Sequence, residues 1–147
     1  MPLTVIKGDL LQADEQIIVH QCNCVTSESK IVYTVEKYPY SNVYTIFPRV
    51  PGEVLITYPE EKGPIVVAFL AQYYPGRSRP GDSRTERLKW FRECIGSLAI
   101  FMKERGIDRV AFPFKIGCGL AGGIWEDYLR ILEDFSKTIN VIIYRKD

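Results

Sequence analysis

The stretch AFPFKIGCGLAGGIWEDYLRIL (Ala111–Leu132) runs from an apolar segment through a glycine-rich turn into a helical pattern. Gly117, Gly119 and Gly122 form a literal G-x-G-x-x-G, the spacing associated with dinucleotide-binding turns. That fingerprint normally opens a multi-strand cofactor domain, whereas here a single further strand pattern, NVIIYR, follows. The dinucleotide label is therefore set aside, but its physics is kept. Glycines let backbone N–H groups approach an anion closely, and a helix beginning near Trp125 directs a favourable dipole at the same place. The competing reading is a tight strand-to-helix connection with no ligand. The run holds more glycines than such a connection needs, which favours an anion cradle.

Outward from this turn, strand and helix patterns alternate. RVAFPF (Arg109–Phe114) reads as a strand before the turn. The helix after it spans about Trp125 to Phe135, with Trp125, Tyr128, Leu132 and Phe135 on one face. Upstream, Arg84–Arg105 is the clearest helix. Leu88, Phe91, Ile95, Leu98 and Met102 form its apolar stripe, Ser83 and Glu86 have capping-box spacing, and Gly106 suits the C-terminal cap. TVIKGDLL reads as a strand broken at Gly8, with Asp9 capping a short turn. QIIVHQCNCV, GEVLITY and PIVVAFLAQ read as further strands. SESKIVYTVEKYPYSN (Ser27–Asn42) fits either a strand or a helix ended by Pro39, and Tyr73–Glu86, rich in Gly, Pro and Arg, reads as a long loop. This order predicts an α/β layered fold with a largely parallel central sheet.

Composition narrows the class. The 147 residues fit one domain, 46% are hydrophobic and 25% charged, and the formal net charge is +1. A balanced charge argues against a module that binds nucleic acid through a basic surface. No apolar run reaches membrane-spanning length and no signal peptide is evident, so an intracellular protein is expected. The four cysteines, Cys22, Cys24, Cys94 and Cys118, do not form a disulfide pattern and are read as reduced thiols.

VHQCNCV places His20, Cys22 and Cys24 on one face of a strand and Gln21 and Asn23 on the other. The residue types suit zinc, but the spacing matches no standard finger or ribbon, and no metal is expected. A Cys–His nucleophilic pair, a strand end presenting His20 and Asn23 to a polar ligand, and a hydrogen-bonded structural histidine remain alternatives.

Taken in order, IKGDLL, IIVHQCNCV, KYPYSNVY, FPFKIGCGLAGGIW and VIIY resemble the macrodomain, the ADP-ribose-binding α/β module. The likeness is greatest to the branch with ADP-ribose 1″-phosphate phosphatases and terminal ADP-ribose glycohydrolases. It implies one domain over 1–147, a three-layer α/β/α fold with a mixed, largely parallel sheet, and ADP-ribose in a cleft at the strand ends. Asp9 would accept a hydrogen bond from the adenine amino group, with Leu10 beside it, and Tyr144 would pack near the adenine. Asn23 would contact the distal ribose. Gly117, Cys118, Gly119, Leu120 and Ala121 would wrap the diphosphate through backbone N–H groups. His20 matches the phosphatase histidine and would be catalytic, without a cofactor or metal.

The chain also departs from the family. VTSESKIVY lacks the glycines of the loop that usually follows the asparagine, leaving Ser27, Ser29 and Lys30 as substitutes. Gln72 and Ala121 stand where the glycohydrolases carry a lysine and an aspartate. The expected function is therefore binding of ADP-ribose with hydrolysis of ADP-ribose 1″-phosphate. Its alternatives are a non-catalytic ADP-ribose reader and a protein ADP-ribosyl hydrolase. The expected partners are ADP-ribose, its 1″-phosphate, or ADP-ribosylated protein or nucleic-acid ends, with no membrane and no sequence-specific nucleic acid.

Overall fold

The computed structural model describes residues 3–26, 43, 46–59, 62–119 and 121–146. Among them are six strands, β1 (Leu3–Lys7), β2 (Ile17–Gln21), β3 (Val54–Thr57), β4 (Ile65–Phe69), β5 (Arg109–Pro113) and β6 (Asn140–Arg145). Two long helices, α1 (Arg84–Arg105) and α2 (Trp125–Phe135), and a short 3-10 helix at Leu10–Gln12 complete them. The strands form one sheet in the order β1-β6-β5-β2-β4-β3. Only β3 runs antiparallel, pairing Val54–Thr57 with Val66–Phe69 across a short connection that suits a hairpin. The other neighbouring pairs are parallel, which gives the mixed, largely parallel sheet that the alternating pattern predicts.

Side-chain alternation divides the core into two faces. Ile17, Val19, Val67, Phe69, Val110, Phe112, Val141 and Ile143 meet Phe91, Cys94, Leu98 and Met102 of α1 and Tyr128, Leu132 and Phe135 of α2. The opposite face carries Ile18, Val66 and Ala111 beneath Leu10, Ala13 and Tyr144, and beside them Cys22, Cys24, Ala68 and Leu70 with Val43. Both long helices thus lie on one face. Ser27–Asn42, which would bear on a further layer, falls outside the described residues.

Local signals set the element ends. Ser83 and Glu86 form a reciprocal capping box at α1, and Gly106 closes it in the left-handed conformation, at φ 66°. The buried face of α1 differs from the stripe read in the sequence: Arg87 and Cys94 join Phe91, Leu98 and Met102. Leu88 and Ile95 are only partly buried and line a cavity of about 830 Å³ between α1 and α2, with Ile131 and Phe135 opposite. The contact with α2 and an ion pair beneath the helix end, described below, rotate the buried stripe.

Candidate ligand cleft at the strand ends

Parallel pairing brings the carboxyl ends of β1, β2, β4, β5 and β6 to one edge of the sheet, where ligands bind in open α/β folds. Asp9 follows β1 and caps the 3-10 helix, its Oδ1 accepting from the Leu11 N–H at 3.0 Å. That bond holds its carboxyl below the ordinary value against the opposing effect of burial, with help from Lys146 at 3.4 Å from Oδ2. Gly8 leaves room for the neighbouring tyrosine: a Cβ there would sit 3.3 Å from Cδ2 of Tyr144.

Tyr144 projects from β6 over Ile18, Val66 and Ala111, together with Leu10. Its hydroxyl donates to Oε1 of the buried Glu15 at 2.6 Å, and Oε2 of Glu15 accepts from Arg109 at 3.2 Å. Burial, and then this carboxylate, push the Tyr144 phenol up to about 12. Glu15 escaped the sequence reading because its partners lie far along the chain and no local spacing marks them.

His20 is 6% exposed, and Nδ1 lies 3.4 Å from Sγ of Cys22 on the same side of the strand. Burial pushes its pKa down to about 4, so the imidazole is neutral at pH 7. Asn23 is also buried. Its Oδ1 accepts from the N–H groups of Val25 and Thr26, at 3.0 and 2.8 Å, and its carbonyl accepts from Arg49. The local turn therefore occupies the amide oxygen. Arg49 further donates to the carbonyls of Thr26, Val43 and Ile46, tying the segment after Asn23 to the chain near Val43. Ser27, Ser29 and Lys30 fall outside the described residues.

The glycine turn is the most informative part of the edge, because its glycines serve different purposes. A Cβ on Gly117 would meet the Tyr128 ring at 2.8 Å, and one on Gly123 would meet the Gly117 carbonyl oxygen at 2.5 Å. Gly117 and Gly122 also have positive φ, 77° and 75°. These three glycines are explained by folding alone. Gly119 is not: among the described residues nothing lies within 4 Å of its would-be Cβ, and its φ is not positive.

The turn's amides are similarly divided. Cys118 N–H donates to the Lys115 carbonyl at 2.9 Å, while Gly122 and Gly123 donate to Gly119 and Gly117. Cys118 N–H, expected on the diphosphate, is thus used inside the turn. Among the described residues no hydrogen bond engages the N–H of Gly119 or Ala121. Leu120 lies outside the described residues. Burial pushes the Cys118 thiol up to about 11, which keeps it protonated. The helix dipole expected to assist here is offset, because Glu126 and Asp127 occupy the first turn of α2.

Behind the turn sits a buried ion pair that the sequence reading missed. Arg87 and Asp82 are 2% and 0% exposed and form a bidentate contact, Nε to Oδ1 at 2.9 Å and NH2 to Oδ2 at 2.6 Å. Arg87 also donates to the carbonyls of Tyr74, Gly76, Arg77 and Ala121, and Asp82 accepts from the N–H groups of Tyr73 and Tyr74. One side chain thereby fixes the Tyr73–Ser83 loop to the glycine turn. Nearby, Gln72 accepts from Gln21 at 2.7 Å and donates to the Tyr74 carbonyl.

No family model matches the chain, and no curated protein matches it. Solved structures do. The macrodomain of Mycobacterium tuberculosis DarG is similar at a TM-score of 0.73 and 22% identity, over 97% of each chain. Thermosipho africanus DarTG in complex with ADP-ribose aligns at a TM-score of 0.73 and 20% identity, over 97% of this chain and 41% of that one. The Trypanosoma brucei macrodomain in complex with ADP-ribose aligns at 0.61 and 15%, over 98% and 63%. At these identities the likeness speaks for architecture: the chain has the macrodomain fold.

Proposed function

We propose that this protein binds ADP-ribose along the carboxyl edge of its sheet, with the diphosphate at the glycine turn. The observation that carries the reading is Gly119, a glycine that folding does not require, in open space beside uncommitted N–H groups. Two similar structures hold ADP-ribose, which supplies the ligand class. Asp9 retains acceptor capacity for the adenine amino group, and Tyr144, with Leu10, offers the base an aromatic and apolar surface. The N–H groups of Gly119 and Ala121 face the diphosphate. Asn23, whose oxygen is occupied, addresses the distal ribose through its NH₂ group.

The finer reading is hydrolysis of ADP-ribose 1″-phosphate at His20. It requires an imidazole that reaches the ligand and changes protonation near neutral pH. Burial and a pKa near 4 work against both, so a binder is favoured over a phosphatase. A protein ADP-ribosyl hydrolase is less supported still. Gln72 carries no charge and is held by Gln21 and Tyr74, and Ala121 has no reactive group.

A thermal-shift series with ADP-ribose, its 1″-phosphate, NAD and AMP at equal concentration tests the reading, since a ligand that binds only the folded state stabilises by mass action. ADP-ribose is expected to raise Tm more than AMP does, with no phosphate released from the 1″-phosphate. No shift with ADP-ribose would refute the binding assignment. Phosphate release that His20→Asn abolishes would restore the phosphatase reading.

A further inference from the structure

The glycine turn offers a diphosphate neutral amides, and the helix that follows it carries two carboxylates, Glu126 and Asp127, in its first turn. Positive charge for a phosphate has to come from the basic side chains around the turn. The arginines around it are committed unevenly. Arg87 is paired with Asp82, and the Arg79 guanidinium lies 3.6 Å over the centre of the Tyr74 ring. The Lys115 ammonium sits 5.7 Å from the centre of the Phe114 ring.

Arg77 differs from all three. Its stem crosses Gly122, where a Cβ would lie 3.2 Å from Cγ, 3.7 Å from Cδ and 3.8 Å from Nε. Its side chain is exposed, and among the described residues no acceptor pairs with its guanidinium. Its own carbonyl accepts from Arg87, which also binds the Ala121 carbonyl. One buried side chain therefore sets both the backbone of Arg77 and the backbone of the turn.

We propose that Arg77 is the phosphate-charge contact of the cleft: the Tyr73–Ser83 loop, locked to the turn by Arg87, holds this guanidinium beside the Gly119 and Ala121 amides. The inference rests on the ADP-ribose reading and adds a residue to it. A guanidinium presents a planar fork of donors to phosphate oxygens, so it supplies both charge and orientation where the helix end does not. The absence of a side chain at Gly122 is what lets the stem pass close to the turn.

The test is calorimetric titration of ADP-ribose into the full chain at two salt concentrations, for wild type, Arg77→Gln and Arg77→Lys. Arg77→Gln is expected to lose on the order of tenfold in affinity, the loss of one charge-assisted contact, and its affinity should depend less on salt. Arg77→Lys should recover the salt dependence and part of the affinity. Each variant should melt with the wild type, because the clamp uses the backbone of residue 77 and not its side chain. Arg77→Gln binding like wild type would overturn the proposal. So would a loss of affinity with unchanged salt dependence, which would point to loop shape instead of charge. Wild type that binds no ADP-ribose would overturn the underlying reading as well, so the two failures are distinguishable.

Discussion

Arg87→Met should destabilise the protein by about 3–5 kcal/mol, the range for removing one partner of a buried ion pair. For a chain of this length that lowers Tm by roughly 10 °C. Methionine keeps most of the volume, so the loss is electrostatic: Asp82, fully buried, is left as an uncompensated carboxylate. The carbonyls of Tyr74, Gly76, Arg77 and Ala121 lose their donor together. Adding Asp82→Asn should recover part of the stability, since a neutral amide is far less costly to bury than a charge. Chemical denaturation of the single and double variants checks both values.

The same pair sets an acid limit. Burial pushes the Asp82 carboxyl up, but Arg87 and the amides of Tyr74 and Tyr73 more than offset it, and the net position is below the ordinary value of 3.8. A carboxyl lowered in the folded state contributes stability above its unfolded value, and that contribution is lost as pH falls through the folded one. In Arg87→Met the guanidinium's share of that lowering is gone and only the Tyr74 and Tyr73 amides oppose burial. The stability deficit of the variant relative to the wild type should therefore be largest near neutral pH and shrink as pH falls and Asp82 is protonated.

Gly119→Glu is the second large effect, and it acts on binding without acting on the fold. Nothing among the described residues lies within 4 Å of a Cβ at this position, and φ there is not in the left-handed region. The variant should therefore melt like the wild type. Its carboxylate would occupy the cradle and face the diphosphate across a few ångströms, where like charges repel by several kcal/mol at an effective dielectric of about 20. An affinity loss of at least about a hundredfold is expected by calorimetry. Retained affinity would remove the turn as the phosphate site. Gly123 offers the structural contrast: a Cβ there would press into the Gly117 carbonyl at 2.5 Å, so substitution at that position damages the turn itself.

Much of this architecture was legible in the sequence because local chemistry specifies it. The span of α1 is written in Ser83, Glu86 and Gly106, and the 3-10 helix after β1 in Gly8 and Asp9. The alternation of β2 placed His20 and Cys22 on one side of the strand, where they touch. What could not be read is set by distance along the chain. Glu15 meets Tyr144 across 129 positions, and Arg87 meets Ala121 across 34. On a helical projection Arg87 is one more charged residue, and only the loop folded beneath the helix end makes it a buried partner.

The glycine turn shows the same boundary more finely. Its composition signals an anion cradle, yet the sequence gives no means of separating glycines that pack on Tyr128 from the one that faces open space. Nor does it show that Cys118 N–H is used within the turn while those of Gly119 and Ala121 are not.

That distinction is what a ¹⁵N-labelled sample can report. On titration with ADP-ribose, the amide resonances of Gly119 and Ala121 should move furthest within the turn, and that of Cys118, bonded to Lys115, should move less. The account would be contradicted if Gly119 and Ala121 stayed in place while the largest shifts fell in the cavity between the helices, at Ile95, Ile131 and Phe135.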